Sequence, residues 1–584
     1  MYNWTKLCEK GDYLMPRTRT IWSDNHSYDN FISEYPDFSA FTYLKQTAEK
    51  YPDNIAVEFQ SNKITFTEMI SQIEEIAQSL LAIGINKGDY VTVVTPNTPQ
   101  GLFTVYAINR IGAIANMINP LLSTGEIKTI TENVNSKALL TFDMLYPKFA
   151  GIAWSEPCNP KMIIAHISDA LPEQIKLYYK TNNEKEIEAN PAHDIIDWND
   201  FLKAGSMREE TLPQDDGKGE DDAAILYSGG TTGLPKGVII QNKSFNAMVV
   251  QTGEVMPHDL KDMPGKKVLG LMPMFHGFGL AMCIHVMINL GCHIVLVPKF
   301  DPIACIDLIF KEKIGYVYAV PALYEAMSRS EQIETEDLSF LELVAISGDK
   351  CSQRLMDRMN KYLEKGGAPA RMTEAWGQTE SLSAISLNPF FNQKKGSCGI
   401  ALSGNEVKIV KPGTHETVPY GEDGEICAIT PTLMRGYYRN EKETALAMQK
   451  HPDGKTWLHT GDIAYMDEDG YLYYRQRHSK MIIVSGFNVY PIQIEEVINS
   501  CDGVAVSCVV GVENRAGTQV VAVVQPVSMD MDLDELRARI VEKCKKDVAE
   551  FSQPRKIVFQ EALPRTAVGK IDFKRVTAEM NQKG

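Results

Sequence analysis

Alternating helix and strand signals near the start of the chain constrain its fold more than any other feature. Thr65 and Glu68 have the spacing of a helix capping box, and apolar residues then recur at helical intervals, namely Met69, Ile73, Ile76, Leu80 and Leu81. After Gly84 come an apolar run, an uncharged helical segment and a second apolar run, at 90–94, 99–109 and 113–117. The order strand, helix, strand is typical of a parallel sheet, so the sequence predicts an α/β fold.

The same alternation returns between Ile225 and Ile346. Three apolar runs in this region have the character of strands buried on both faces, namely VLVP (295–298), YVYAV (316–320) and LVAIS (343–347). The two regions together predict one large body of doubly wound α/β subdomains. Polar and acidic residues accumulate over 182–222, which predicts a solvated surface excursion from this body.

The pattern changes after Gly396 to short β-type runs separated by glycine turns, which predicts a β-rich layer. From Lys480 onward the order is strand, helix, two strands, helix and strand, which is typical of a compact α+β module with its own core. We therefore predict a large N-terminal domain over 1–478 and a small α+β C-terminal domain over 479–584.

Composition excludes several classes of protein. The 584 residues carry 59 Lys and Arg against 75 Asp and Glu, a net charge of −16, which argues against a nucleic-acid-binding protein. The 11 cysteines show neither a C-x-x-C pair nor a zinc spacing, and the N-terminus lacks the apolar core of a secretory signal, so we expect a reducing, cytoplasmic location. The uncharged stretch 268–298 is interrupted by proline, glycine and histidine, which predicts strand, loop, buried helix, turn and strand rather than a transmembrane segment.

A glycine-rich loop, YSGGTTGLPKGV over 227–238, is the strongest local signal for chemistry. Its glycines allow close approach of the backbone to a ligand, its hydroxyl side chains can donate hydrogen bonds, and Lys236 adds a positive charge, all of which suit a polyphosphate. It is not a Walker A loop, because Lys236 precedes Gly237 and the G-x-x-x-x-G-K-[ST] order is missing. On these residues alone, a flexible surface turn remains an equal alternative.

The loop resembles the phosphate loop of the AMP-forming, acyl-adenylate-making enzymes, a superfamily that includes acyl-CoA synthetases, peptide-synthetase adenylation domains and firefly luciferase. Four further stretches resemble motifs of that superfamily and occur in its order, namely MPMFHGFGL (272–280), TEAWGQTE (373–380), WLHTGDIAYMDEDGYLYYRQR (457–477) and PRTAVGK (564–570). The resemblance spans 41–574 and is typical of the fatty-acid:CoA ligase type.

The resemblance implies a set of ATP-binding residues, namely Ser228, Gly229, Gly230, Thr231, Thr232, Gly233, Lys236, Trp376, Gly377, Gln378, Thr379, Asp462, Arg477 and Lys570. Trp376 would stack on adenine, Asp462 would accept hydrogen bonds from the ribose, and Arg477 would reach the sugar or the phosphates. Glu380 and Thr231 would hold Mg²⁺ against the phosphates. The implied catalytic residues are Lys570, His276, Thr379 and Glu380.

The acid and thiol sites are implied by the same resemblance. His276, Gly277 and Gly279 would border the acyl pocket, although a histidine satisfied within the core is a serious alternative for His276. Gly486 would line the coenzyme A tunnel. The resemblance also implies a mobile C-terminal domain that rotates between the two steps. Ser479 stands at the implied hinge, where the family has Asp or Lys, which puts the timing of this rotation in question.

These features predict an ATP-dependent acid:CoA ligase that acts on a medium- or long-chain fatty acid, with Mg²⁺ and coenzyme A as cofactor and co-substrate. Ligation to a carrier protein and activation of an aromatic acid stay open as alternatives. An amino-acid-adenylating domain, a luciferase-like oxygenase and a catalytically silent nucleotide-binding protein are disfavoured, the oxygenase because Ile483 stands where such enzymes have Lys. We expect small-molecule partners, no nucleic acid and no transmembrane segment; the oligomeric state stays open, a homodimer included.

Overall fold

The computed structural model describes residues 34–184, 190–228, 235–256, 262–349, 351–390, 392–480, 482–484, 487–514, 517–566 and 570–582. Strands in the first half of the chain are β1 Ile55–Phe59, β2 Asn62–Thr65, β3 Tyr90–Val93, β4 Ile114–Met117, β5 Ala138–Phe142, β6 Lys161–Ala165, β7 Ile195–Asp197, β8 Asp222–Ser228, β9 Lys236–Gln241, β10 Lys267–Gly270 and β11 His293–Leu296. Those that follow are β12 Tyr316–Ala319, β13 Leu343–Ile346, β14 Met372–Gly377, β15 Ala384–Leu387, β16 Ile400–Ala401, β17 Glu406–Val410, β18 Gly424–Ile429, β19 Gly436–Tyr437, β20 Met448–Lys450, β21 Thr456–Met466, β22 Leu472–Arg477, β23 Ile482–Val484, β24 Phe487–Val489, β25 Val504–Asn514, β26 Gly517–Pro526 and β27 Lys556–Phe559.

The α-helices of the described residues are Ala40–Lys50, Phe66–Ala82, Pro99–Arg110, Thr124–Asn133, Glu173–Asn183, Trp198–Ser206, Asn242–Val255, Met287–Asn289, Pro302–Glu312, Pro321–Met327, Glu331–Thr335, Gln353–Lys365, Glu441–Ala447, Pro491–Asn499, Leu533–Asp547 and Phe573–Gln582. A π-helix spans Phe278–Val286.

The first large sheet has eight strands in the order β19-β9-β8-β4-β3-β5-β6-β7. Its strands β3, β4, β5 and β6 run parallel, as the alternating pattern predicts. The helix Phe66–Ala82 begins at Thr65, whose side chain accepts from the Glu68 amide in the predicted capping box, and it ends before Gly84, where φ is +90°. The α/β fold class is confirmed.

The second large sheet has nine strands in the order β16-β15-β14-β13-β12-β10-β11-β1-β2. The uncharged stretch 268–298 supplies β10, the buried π-helix and β11, in the order that the sequence predicts. All nine residues of the π-helix are buried, so this stretch is protein core. Across the described residues, no helix combines the length and the apolar character needed to span a bilayer.

The polar stretch 182–222 contains more structure than a surface excursion. Its strand β7 pairs in parallel with β6 and extends the eight-stranded sheet. The helix Trp198–Ser206 buries Trp198 and Phe201, and Gly205 lies so close to Ser79 that an added Cβ would fall 2.2 Å from the Ser79 Oγ. The prediction was therefore wrong for 195–206, because a few apolar residues between two acidic runs suffice to dock an amphipathic helix.

A five-stranded sheet follows, in which β17, β18, β21 and β20 are antiparallel neighbours and β22 pairs with β21. The last part of the chain forms the sheet β25-β26-β27 with helices packed on it. Its two hydrophobic clusters draw their buried residues from 482–580 alone. The domain boundary near residue 478 stays a prediction. The sequence prediction missed the terminal helix Phe573–Gln582.

Candidate active site

A cleft of about 1730 Å³ lies between the large sheets, the five-stranded sheet and the C-terminal module. This volume exceeds that of a typical pocket for one small ligand, which is roughly 300–1,000 Å³. The predicted site residues that line it are Ser228, Lys236, His276, Trp376, Gly377, Gln378, Thr379, Glu380, Asp462, Arg477 and Lys570. The structure therefore brings together residues that lie more than 300 positions apart in the sequence.

The phosphate-type loop joins β8 to β9, which are antiparallel neighbours. Ser228 and Lys236 face each other across these strands and thereby hold the two ends of the loop. Lys236 Nζ lies 2.5 Å from Glu443 Oε2 and 4.9 Å from the centre of the Tyr437 ring. The predicted Gly229, Gly230, Thr231, Thr232 and Gly233 lie outside the described residues.

Glu380 follows the end of β14 in a single 3-10 turn over Thr379–Ser381. The Tyr437 hydroxyl donates to Glu380 Oε1 at 2.8 Å, and burial together with the Glu380 carboxylate raises the pKa of Tyr437. Among the described residues, no donor reaches the second carboxylate oxygen of Glu380. That oxygen can serve as a hard ligand for Mg²⁺, so the residue fits the metal role predicted for it.

The backbone next to Glu380 is held in an unusual conformation. Leu382 has a φ of +61° and a ψ of −44°, and the Ser383 amide donates to the Ser381 carbonyl, which together make a rare and strained γ-turn. A Cβ on Gly377 would fall 1.8 Å from the Ser383 carbonyl oxygen. Glycine is therefore required at 377 because the strained turn folds back against it.

Asp462 is buried and sits directly opposite Arg477 across β21 and β22. Its Oδ2 accepts from Trp376 Nε1 at 2.9 Å, and its Oδ1 lies 3.0 Å from Arg477 Nε as an ion pair. Burial raises the pKa of Asp462, while Arg477 and the Trp376 hydrogen bond oppose that rise. Oδ1 is buried and lies against Arg477, so a ligand hydroxyl can reach this oxygen only where the Arg477 side chain moves aside.

Lys570 reaches the cleft from the C-terminal module. Its Cε lies 3.8 Å from the point that a Cβ of Gly348 would occupy. Burial lowers the pKa of Lys570, Arg477 and Lys480 lower it further, and Asp349 opposes them. The module therefore presents its lysine to the cleft in this arrangement of the chain.

His276 lines the cleft near Lys570. Its Nδ1 accepts a hydrogen bond from the Phe278 amide at 3.2 Å, which leaves the proton on Nε2. Burial, with a smaller effect of Lys570, lowers the pKa of His276 to about 3. The ring is therefore neutral near pH 7 and can donate one hydrogen bond from Nε2.

The glycines that follow His276 have a structural reason for being glycine. A Cβ on Gly277 would fall 2.0 Å from the Leu382 carbonyl oxygen, and one on Gly279 would fall 2.1 Å from the Pro273 carbonyl oxygen. Because these two residues have no side chain, neighbouring backbone can pack directly against them. Their predicted role at the acyl pocket stays a prediction.

Several cleft residues escaped the sequence prediction. Glu443 and Tyr437 pair with predicted residues, and Gln476 is buried with both polar atoms of its amide lacking a partner among the described residues. The only available signal was the position of Gln476 directly before Arg477. The predicted Gly486 and the side chain of Ser479 lie outside what the structure describes.

The cleft thus combines cations, a hard oxygen ligand and an acceptor suited to sugar hydroxyls. A profile of the family described as "AMP-binding enzyme" matches residues 44–438, and a profile described as "AMP-binding enzyme C-terminal domain" matches residues 493–570. The chain belongs to the AMP-binding enzyme family. This confirms the resemblance to AMP-forming acyl-CoA synthetases that the motifs indicated.

Curated relatives of this family member include CoA ligases with different acids in their names. The chain is 30% identical over 551 residues to a long-chain-fatty-acid–CoA ligase of Bacillus subtilis, with 93% of this chain and 95% of the relative covered. It is 29% identical over 556 residues to a probable 4-coumarate–CoA ligase of Dictyostelium discoideum, with 93% and 96% covered.

Solved structures share the fold. ATP-bound MatB from Rhodopseudomonas palustris matches with a TM-score of 0.78 at 22% identity, over 93% of this chain and 99% of that one. The anthranilate CoA ligase AuaEII in complex with anthranoyl-AMP matches with a TM-score of 0.78 at 21% identity, over 94% and 98%.

Proposed function

We propose that the protein is an ATP-dependent acid:CoA ligase. It converts a carboxylic acid and ATP into acyl-AMP and pyrophosphate, and then transfers the acyl group to the thiol of coenzyme A with release of AMP. The observation that carries this proposal is the position of Lys570 in the same cleft as Glu380 and Asp462.

Formation of acyl-AMP needs alignment of two anions more than it needs a nucleophile from the protein. The substrate carboxylate attacks the α-phosphorus of ATP, and pyrophosphate leaves with the bonding electrons. Lys570 offsets the repulsion between the carboxylate and the α-phosphate, while Lys236 binds the outer phosphates. Glu380 and Thr231 would hold Mg²⁺, which supplies positive charge to the phosphates when bound.

Asp462 orients the nucleotide in this proposal. Its Oδ1 accepts a hydrogen bond from a ribose hydroxyl, and Trp376, held by its hydrogen bond to Asp462, offers a ring edge or face to adenine. Thr379 and Gln378 adjoin the phosphates from the turn that carries Glu380. His276 is a poor base because its pKa lies at about 3, so it orients the acid by donating from Nε2.

The substrate we propose is a medium- or long-chain fatty acid. The relative from Bacillus subtilis named for long-chain fatty acids supports this choice, as does the apolar character of the segment around His276. The 4-coumarate–CoA ligase relatives favour an aromatic acid as the second candidate.

Thioester formation requires the C-terminal domain, over 479–584, to turn away from this arrangement so that the thiol can approach. Ser479 is the proposed hinge, and Gly486 is the proposed wall of the thiol tunnel. The large domain, over 1–478, retains the acyl-AMP during that rotation.

The test is a panel of acids assayed for pyrophosphate exchange and for AMP release, each with and without coenzyme A. Octanoate, palmitate, cinnamate and benzoate separate aliphatic from aromatic preference. We expect exchange with a fatty acid in the absence of coenzyme A, and multiple-turnover AMP release only in its presence. Absence of exchange with every acid would overturn the proposal, and AMP release that ignores coenzyme A would exclude it as the acceptor.

A further inference from the structure

Three histidines from separate segments meet at one edge of the five-stranded sheet. His415 lies in the connection between β17 and β18, His451 lies in the β20–β21 hairpin, and His459 lies within β21. One ring nitrogen of each lies within 4.8 Å of the others. We call this group the histidine cluster. None of its histidines is among the catalytic residues proposed above, and His459 lines the same cleft.

His451 and His459 form the fixed part of the cluster. Their Nε2 atoms face each other at 2.8 Å, so the two rings must share either a proton or a cation. His451 is 3% exposed, and its Nδ1 has no hydrogen-bond partner among the described residues. Without a metal ion, the proton lies on His451 Nε2 and is donated to the Nε2 lone pair of His459, so a bound ion takes the place of this proton.

The Glu425 carboxylate orients the His459 ring for metal binding. Its Oε2 accepts from His459 Nδ1 at 3.0 Å, so the Nε2 lone pair of that histidine points into the cluster. A carboxylate behind a histidine in this way is the usual support of a metal-binding imidazole. The other oxygen of Glu425 accepts from the Gly461 amide at 3.0 Å and is thereby held in place.

His415 closes the cluster from the partly exposed side. Its ring stacks on that of His451, with centroids 4.1 Å apart and planes inclined by 21°. Its Nε2 is 3.0 Å from Gln449 Oε1. Because the lone pairs of a ring lie in its plane, a shared ion requires the ring of His415 to turn, which its surface position allows.

We propose that the histidine cluster binds one zinc ion. Three imidazole nitrogens are a ligand set that Zn²⁺ accepts, with a fourth position for water. Nitrogen ligands at Zn–N distances of about 2.0 Å lie roughly 3.3 Å apart in a tetrahedron, so the His451 and His459 rings need to separate by only about 0.5 Å. Mg²⁺ prefers oxygen ligands and does not compete for this set.

Two carboxylates and one ammonium group lie beside the histidine cluster. Glu425 lies directly behind His459, and Asp453 lies on the same hairpin. Lys408 is already paired with Asp453 at 3.2 Å and packs over the Trp457 ring at 3.9 Å. Asp453 thus offsets part of the positive charge of Lys408.

The experiment uses the full chain, stripped with a chelator and dialysed against micromolar Zn²⁺ with excess Mg²⁺ and no nucleotide. We expect one equivalent of zinc to be retained and the thermal unfolding temperature to rise. With Co²⁺ in place of Zn²⁺, the visible spectrum should show tetrahedral bands without thiolate charge transfer. The ten cysteines of the described residues are buried, so bands from thiolate would place the ion elsewhere and overturn the proposal.

Variants assign the ion to the cluster. Glu425→Gln should weaken zinc binding by roughly 10–100-fold, and His415→Ala by at least as much. Glu416→Ala, an exposed neighbour on the same turn as His415, is the matched control and should bind zinc as the wild type does. Circular dichroism checks the fold of each variant.

Two results would overturn the proposal. One is retention of zinc by folded His415→Ala with the affinity of the wild type, which would place the ion at other ligands. The other is zinc binding that begins only at millimolar concentration in the wild type, which would make the cluster a hydrogen-bonded group of histidines.

Discussion

At the scale of single residues, three ionisable groups of the cleft already contact partners within the protein. Asp462 faces Arg477, Lys236 contacts Glu443, and Glu380 accepts from Tyr437. Such pairs lower the cost of burying charge, and a bound nucleotide exchanges them for contacts to ribose and phosphate. Lys570 lies at this site as well, and its lowered pKa indicates a cation that a bound anion would stabilise.

Lys570→Ala should abolish acyl-AMP formation while leaving thioester synthesis from supplied acyl-AMP largely intact. The lysine offsets charge between carboxylate and α-phosphate, a contribution that is absent from the second step. Pyrophosphate exchange measures the first step, and thioester formation from synthetic acyl-AMP measures the second. Lys545→Ala, an exposed lysine of the same module, is the control, and equal loss of both steps in Lys570→Ala would contradict this role.

Glu443→Gln should lower the KM for ATP, because Lys236 would no longer have to leave a carboxylate in order to meet a phosphate. Both side chains are about one-third exposed, and a pair of this kind contributes about 0.2–1 kcal/mol, so we expect a change of roughly 1.5–5-fold. Steady-state kinetics with varied ATP measures it. Glu441→Gln on the same helix is the control, and a rise in KM for Glu443→Gln would show that Glu443 helps to bind the nucleotide.

At the scale of elements, the ends of strands position the polar groups. Parallel strands β5, β6 and β7 bring His166, Asp143 and Asp197 together at their carboxyl ends. His166 Nδ1 lies 3.3 Å from Asp143 Oδ2, and its Nε2 lies 3.2 Å from Asp197 Oδ2. In the same way, the end of β14 supplies Trp376, and the pairing of β21 with β22 sets Asp462 opposite Arg477.

The stability of the fold should fall as pH rises from about 6.5 to about 9 through the ionisation of His166. The Asp143 carboxylate beside Nδ1, partly opposed by burial, raises the pKa of His166 from 6.5 to about 9. Between these values the folded state binds more protons than the unfolded state, so the contribution is full below 6.5 and is lost as pH passes 9. It amounts to at most about 3 kcal/mol.

Chemical denaturation across this pH range measures the slope. The His166→Gln variant should lack this part of the pH dependence, since glutamine does not ionise. An unchanged slope in the variant would assign the effect to other groups.

At the scale of the whole molecule, the arrangement of the C-terminal module decides which residues share the cleft. Arg354, on the helix Gln353–Lys365, donates to Asp502 Oδ1 at 3.0 Å across the two bodies. This arrangement places Lys570 beside the site proposed for the first step. A chain that must also carry out a second step needs such contacts to be weak enough to break.

Arg354→Ala should slow acyl-AMP formation by a few-fold and leave thioester synthesis from supplied acyl-AMP unchanged. The pair is exposed, so its loss should cost only about 0.2–1 kcal/mol of this arrangement. Single-turnover assays measure the rate of each half-reaction, and the ratio of the variant rate to the wild-type rate gives the effect on each. The double-mutant cycle with Asp502→Ala checks that the effect comes from this pair, and equal slowing of both half-reactions would contradict the interpretation.

Local patterns predicted much of the fold. The capping box at Thr65, the alternation up to β4 and the six elements predicted after Lys480 each depend on neighbours within a few residues, and the structure has them. The strand β24 and the terminal helix were not predicted. The motifs likewise predicted most residues that line the cleft. The helix Trp198–Ser206 was missed because its few apolar residues gain stability only from the helix that they pack against.

What the sequence determined alone is therefore the set of elements and the family motifs, since hydrogen bonding within a helix and alternation within a strand are local properties. The tertiary structure alone decided the pairing of Lys236 with Glu443, the γ-turn that requires Gly377 and the meeting of His415, His451 and His459. These depend on contacts between segments far apart in the chain, and no local spacing encodes the distance between their side chains.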